Sequence, residues 1–259
     1  MRRSAMAVLC LAFAGAASTI GTSAASAATQ PLVAPCIQGT ILIWPYEDAR
    51  CSVLAAGEKG LYRKEPLANS TTVAFTSANK MGHEPQFKAK NREVKCEKSK
   101  GSGEVIGVKP EEHTELLKVS ITYEKCKGVF LGVGVACENF TTKELKGRLG
   151  YTVRAEKLVG SELEPVTGFI AKFNCGATAV EFTGCSIGED LPVSPGIVEP
   201  TLETVYKENA EKNGQQRTEI EGGTHKPCRQ EATFGGTKET MWSVAEEVLT
   251  WAKELELQA

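Results

Sequence analysis

The sequence predicts an all-β, mostly antiparallel protein, a sandwich or distorted barrel stapled by disulfides, with a C-terminal helix as its one departure. Three observations carry this expectation. Short β-prone segments recur at hairpin spacing with turn residues between them. An even set of cysteines (Cys36, Cys51, Cys96, Cys126, Cys137, Cys175, Cys185 and Cys228) follows a stretch built like an export leader. Helical periodicity is scarce before about residue 240.

Residues 1–27 read as a signal peptide. Arg2 and Arg3 precede an apolar run over residues 5–20, and Ala25-Ser26-Ala27 supplies the small residues for cleavage after Ala27. The run is short and broken by Gly15, Ser18 and Thr19, so it does not read as a membrane span, and no later stretch does. Leu9 before Cys10 and Pro35 before Cys36 do not suit lipidation, which needs a small residue there. The expected product carries no integral membrane anchor and is secreted or associated with the cell wall. Residues 28–66 form an N-terminal extension holding Cys36 and Cys51, and residues 67–259 form the main β domain. The Pro/Gly-rich stretch 188–200, with Leu191-Pro192-Val193-Ser194-Pro195-Gly196, reads as a linker.

Loss of Arg2 and Arg3 makes the mature chain more acidic than the −2 of the full sequence. Basic residues alternate with acids, as in Lys95-Cys96-Glu97-Lys98, instead of clustering as a phosphate backbone would require. Nucleic acid is therefore not an expected partner. For the cysteines, the pairs expected are Cys126 with Cys137 across a Gly-rich turn and Cys96 with Cys175 at two strand ends. Cys36 with Cys51 follows near the mature amino terminus, and Cys185 with Cys228 by elimination. No Cys-x-x-Cys pair occurs, and His225-x-x-Cys228 is the one close His/Cys spacing, so no metal site is expected.

The expected strands cover residues 40–44, 71–76, 87–96, 115–124, 148–155, 166–175, 177–185, 201–207 and 217–221. Leu117, Val119, Ile121 and Tyr123 alternate with polar residues, as do Phe169, Ala171, Phe173 and Cys175. Such alternation marks half-buried antiparallel strands. Asn174-Cys175-Gly176-Ala177 reads as a hairpin turn, because Gly176 supplies a positive φ. Met241, Val244, Val248, Trp251 and Leu255 recur at helical spacing, which predicts a helix to about residue 252.

Several spaced motifs, Val94-Lys95-Cys96, Gly101-Ser102-Gly103, Ser120-Ile121-Thr122-Tyr123-Glu124-Lys125-Cys126, Cys137, Leu145-Lys146-Gly147-Arg148-Leu149-Gly150-Tyr151 and Phe173-Asn174-Cys175-Gly176, together resemble a group of exported proteins abundant in soil actinobacteria. The resemblance covers residues 70–259. It implies an exported β-rich bacterial product and brings no active site. It also favours strands over residues 241–251, against the periodicity, and marks Cys185 and Cys228 as additions to the group's usual cysteines.

Gly184-Cys185-Ser186-Ile187-Gly188 fits the Gly-x-Ser-x-Gly nucleophile elbow, and Asp190 and His225 follow in hydrolase order. That chemistry needs Ser186 on a strand-to-helix turn with His225 as general base. Pro192 and Pro195 oppose a helix there, and the alternating strands and helices of that fold are missing. A turn between strands is the expectation. Gly101-Ser102-Gly103-Glu104-Val105-Ile106-Gly107 misses dinucleotide spacing and reads as a hairpin loop. Glu111, Glu112 and His113 read as solvated, and His83, His113 and His225 are too dispersed for a metal triad. Trp44-Pro45-Tyr46 offers either a sugar-stacking platform or the end of a core strand 41–43.

These readings point to an exported, non-enzymatic binding or structural module of the cell envelope or extracellular space. No cofactor is expected, and the partner would be an envelope glycan or another secreted protein. A secreted serine hydrolase using Ser186, His225 and Asp190, or an inhibitor or toxin-like protein, is the alternative.

Overall fold

A computed structural model describes residues 31–107, 115–152, 158–192, 199–207 and 228–258. Its strands are β1 (Leu32–Ala34), β2 (Cys36–Gln38), β3 (Tyr62–Lys64), β4 (Thr72–Asn79), β5 (Gln86–Ala89), β6 (Arg92–Ile106), β7 (Glu115–Phe130) and β8 (Val133–Ala136). They continue as β9 (Phe140–Thr141), β10 (Leu145–Tyr151), β11 (Val159–Pro165), β12 (Ala171–Cys175), β13 (Thr178–Gly184), β14 (Ser186–Pro192), β15 (Glu199–Tyr206), β16 (Gln230–Phe234) and β17 (Thr237–Gln258). Among the described residues the only helical turn is a 3-10 turn at Ala56–Glu58.

The pairings close this meander into a barrel of eight long antiparallel staves. In order around the wall they are β4 with β5, β6, β7, β8 to β10, β11 with β12, β13 with β14, β15 with β16, and β17. Closure comes from β17, which pairs with β15 and β16 on one side and with β4 and β5 on the other. The stave of β8 to β10 meets β12 through the Cys137–Cys175 bridge and the backbone bond from Lys143 N–H to the Ile170 carbonyl. One barrel end has tight turns at 90–91, 131–132, 176–177 and 235–236. Leu131-Gly132 and Gly235-Gly236 have positive φ at both turn residues, the handedness that matches strand twist. The other end carries the longer connections.

Alternation sends apolar side chains inward. Phe140 stacks on Phe173 with centroids 4.0 Å apart and also meets Phe87, Tyr123 and Phe182. Towards the other end the filling is Val73, Phe75, Val105, Leu149, Leu202 and Trp251. Cross-strand ion pairs dot the outer face, among them Lys146–Glu164, Lys172–Glu181 and Lys238–Glu231. An apolar interior with a charged exterior is the inverse of a transmembrane barrel. No helix of the described residues is long and apolar enough to cross a membrane.

Several expectations are corrected. Residues 241–255 are not helical but belong to β17. Ser243 and Glu247 point inward there, and their polarity breaks the period of two and leaves the remaining apolar residues at helical spacing. Residues 87–96 are not one strand but a hairpin, β5 and β6, turning at 90–91. Gly101 and Gly103 lie within β6, and Gly103 makes room for the ring of Phe75, its register partner on β4, which a Cβ there would strike. Residues 40–44 form no strand, and Trp44 makes only an isolated bridge with Gly60. Of 166–175, only β12 is extended. The expected linker 188–200 is replaced at its start by β14. Residues 217–221 and the part of 148–155 beyond 152 lie outside the described residues.

The disulfides are Cys36–Cys51, Cys96–Cys126, Cys137–Cys175 and Cys185–Cys228. Cys126 with Cys137 and Cys96 with Cys175 are thus corrected. Cys96, Cys126, Cys137 and Cys175 form one continuous row over four neighbouring strands. Within it the bridged pairs are the close ones, with Cα atoms 4.0 and 3.9 Å apart. Cys126 and Cys137 instead share a backbone hydrogen bond of 3.0 Å, and such pairs stand wider.

Candidate functional site

The Gly-x-Ser-x-Gly segment is a corner between two strands. β13 ends at Gly184, whose φ of 91° turns the chain, and β14 starts at Ser186. No helix follows, so the elbow geometry is not formed. Ser186 faces the barrel interior beside Tyr206, Gln230 and Ser243, around a cavity of about 40 Å³. That space suits water and not an organic ligand. Asp190 shares the inner face of β14 but lies two repeats of the pleat further on, engaged by Ser161 and Thr204. His225, Glu111, Glu112 and His113 lie outside the described residues.

What the barrel does bring together is a polar belt at mid-height. Asp190 pairs in register with Thr204, and Thr204 with Glu247. Asp190 accepts hydrogen bonds from the hydroxyls of Ser161 and Thr204, the latter at 2.6 Å. Burial raises its carboxyl to about 6 despite both bonds, which act to lower it. Glu247 Oε1 accepts from Ser99 Oγ at 2.5 Å, while Oε2 has no hydrogen-bond partner among the described residues. Burial likewise raises Glu247 to about 7 against the bonds from Ser99 and Ser77. The phenols of Tyr123 and Tyr206 are pushed up by burial and then by the nearby Glu247. Sequence reasoning named Asp190 only as a triad acid and missed Glu247. Helical spacing over 241–255 hid the inward direction of Glu247.

Two other groupings are accounted for by their partners. Glu162, Cys185 and Cys228 place a carboxylate and two sulfurs within 4.8 Å of one another. The sulfurs are joined as a disulfide, and Glu162 pairs with Arg148 Nε at 2.9 Å. Outside β17, a groove of about 260 Å³ is lined by His83, Lys95, Lys207 and Glu246. Its polar side chains have partners: His83 Nδ1 lies 3.0 Å from Glu246, Lys207 pairs with Glu189 at 3.2 Å, and Lys95 pairs with Glu84.

The N-terminal segment holds five of the large apolar side chains that stand in solvent, in two short runs. It joins the barrel where β1 adds to the end of β17, on the side of the long connections. Beyond β1, β2 and β3 form a small two-stranded sheet clasped by Cys36–Cys51. Asp48 fixes the next turn, accepting from the backbone N–H groups of Val53 (2.7 Å), Ser52 (2.9 Å) and Arg50 (3.2 Å), and from Ser52 Oγ. Partial desolvation works against the charge, yet these bonds hold the carboxyl down at about 2. On this frame Ile41, Leu42, Ile43, Val53 and Leu54 are 55, 60, 55, 50 and 71% exposed. Trp44 is neither an open platform nor a core residue. Gly39 packs against its ring, where a Cβ would come within 1.8 Å of Nε1, and the Arg63 guanidinium lies 4.0 Å from its centroid.

No family model, curated protein or solved structure matches the chain.

Proposed function

We propose that this chain is an exported, non-enzymatic binding module of the cell envelope or extracellular space, and that the N-terminal knob is its binding surface. The observation that carries this reading is the exposure of five large apolar side chains on a frame held by a disulfide and by the Asp48 turn. Large apolar side chains held in water on a rigid frame are unfavourable, and exposed apolar surface of this kind marks a contact site. Four disulfides support work in an oxidising compartment. The barrel serves as the rigid mount, filled by its own side chains. The leader-like residues 1–27 and the resemblance to exported actinobacterial proteins favour a bacterial envelope as the setting.

The test is co-sedimentation of the purified, oxidised chain with isolated bacterial envelopes, separated into lipid-free wall polymer and membrane. Retention by either fraction supports the reading. Recovery of all protein in the supernatant, or labelling of Ser186 by a fluorophosphonate probe, overturns it.

A further inference from the structure

We propose that the cysteine row is a thiol–disulfide relay with a second pairing, Cys126–Cys137, and that an external dithiol switches the barrel to it, loosening the seam between β12 and the Cys137 segment. Cys96, Cys126, Cys137 and Cys175 occupy one row across neighbouring strands, on the side of the core. Bridged and unbridged neighbours alternate along it: Cys96–Cys126, then Cys126 beside Cys137, then Cys137–Cys175. The middle contact is a hydrogen-bonded antiparallel pair, with Cys137 N–H donating to the Cys126 carbonyl at 3.0 Å. Such pairs stand about 5.5 Å apart, inside the roughly 4.4–6.8 Å between Cα atoms that a disulfide spans. The Cys137 sulfur already borders β7, since a Cβ at Gly128 would lie 3.2 Å from it. The second pairing therefore fits the existing backbone.

Cys137 is half-exposed, whereas Cys96, Cys126 and Cys175 are buried, so reduction begins at Cys137. One thiolate of the dithiol attacks the Cys137 sulfur, and Cys175 leaves as a thiolate and takes a proton. The second thiol resolves the mixed disulfide, so the dithiol is oxidised to a disulfide and Cys137 is released as a thiolate. Cys137 then attacks the Cys126 sulfur. The Cys126–Cys137 bond forms as the Cys96–Cys126 bond breaks, and the electron pair leaves on Cys96, with no net gain or loss of electrons in this step. In the fully oxidised chain the row holds no free thiol, so the native pairing stays. The switch removes both clips, with unequal effect. β6 and β7 keep a long ladder. The Cys137 segment and β12 share few backbone bonds, among them those from Glu138 N–H to the Asn174 carbonyl and from Gly176 N–H to the Ala136 carbonyl, each 2.9 Å. That thin seam is what the native bridge holds shut.

The experiment is a non-reducing peptide map of single-cysteine variants of the full chain, held at about pH 8 so that thiols ionise and then quenched in acid. Cys96→Ser leaves Cys126 as a free thiol beside the Cys137–Cys175 bridge, and Cys175→Ser leaves Cys137 free beside Cys96–Cys126. Both should form the Cys126–Cys137 peptide at a level within about tenfold of the remaining native bridge. Cys126→Ser and Cys137→Ser instead leave the free thiol at an end of the row, with a serine between it and the other bridge, and should keep that bridge whole. Deuterium exchange at the Glu138 and Gly176 amides should be about threefold or more faster in Cys96→Ser than in Cys126→Ser. The Cys36–Cys51 and Cys185–Cys228 peptides, unchanged in every variant, show that each has folded. Wild type treated with limiting dithiothreitol gives the same test without a substitution, and the crossed peptide should appear before both native bridges are gone. Native bridges that stay whole in both Cys96→Ser and Cys175→Ser, or are lost as readily in the end-thiol variants, would overturn the relay. So would reduction of wild type with no crossed peptide. Equal amide exchange in Cys96→Ser and Cys126→Ser would overturn the loosening of the seam.

Discussion

Cys126 and Cys137 stand opposite each other on neighbouring strands, joined by a backbone hydrogen bond, yet their sulfurs bridge outward to Cys96 and Cys175. The row therefore ties four staves by two separate clips, one from β6 to β7 and one from the Cys137 segment to β12.

A non-reducing peptide map should show Cys96 linked to Cys126 and Cys137 linked to Cys175. Replacing Cys126 with Ser should free Cys96 and leave the Cys137–Cys175 peptide intact. The loss in denaturant unfolding should be about 2–5 kcal/mol. A Cys126–Cys137 peptide from native protein would contradict the register.

Buried carboxyls set the pH dependence of stability. Asp190 and Glu247 rise from 3.8 and 4.5 to about 6 and about 7 on folding. Between those values the folded chain holds protons that the unfolded chain has released. Their contribution is complete below about pH 4 and is lost as the pH rises through 6 to 7. Asp48, lowered to about 2, acts in the opposite sense and favours the fold above its ordinary 3.8. Melting temperature should therefore peak in mild acid and fall towards neutrality. Glu247→Gln should raise stability near pH 7.5 by about 1–3 kcal/mol and change little near pH 4.5. A variant less stable than wild type at the higher pH would show that the ionised carboxylate is needed.

The corner at Gly184 should tolerate no side chain. Its φ is 91°, and a Cβ would sit 1.7 Å from the Arg229 carbonyl oxygen. Gly184→Ala should lose about 2 kcal/mol or more in urea unfolding, because strain and collision act together. At Gly236 φ is 88° but the space is open, so Ala there should lose less. Equal losses would mean that the corner is set by φ alone.

The all-β class was legible because Val119, Ile121 and Tyr123, and likewise Ala171, Phe173 and Cys175, alternate with one face against the core; Leu117 departs from the expected face, because the positive φ of Lys118 breaks the register and Leu116 is buried in its place. The hairpin at Gly176 was legible for the same local reason, its positive φ. The last strand was not. Strand periodicity assumes an apolar inner face, and β17 places Ser243 and Glu247 there to meet the polar belt. The cysteine row failed differently, since hairpin proximity suggests Cys126 with Cys137 and only the hydrogen-bonding phase of the sheet decides between its two neighbours. The knob was misjudged because Ile41-Leu42-Ile43 has the composition of a core strand. Its exposure follows from the disulfide and the Asp48 turn, both tertiary features.

The most direct test of the knob as binding surface is envelope retention of wild type and Leu42→Asp/Leu54→Asp measured side by side, with total envelope as the matrix. The account predicts that wild type pellets with the envelope and that the variant, with an unchanged disulfide map and melting temperature, stays in solution. Equal retention of both proteins would place the binding surface elsewhere on the barrel and contradict the account.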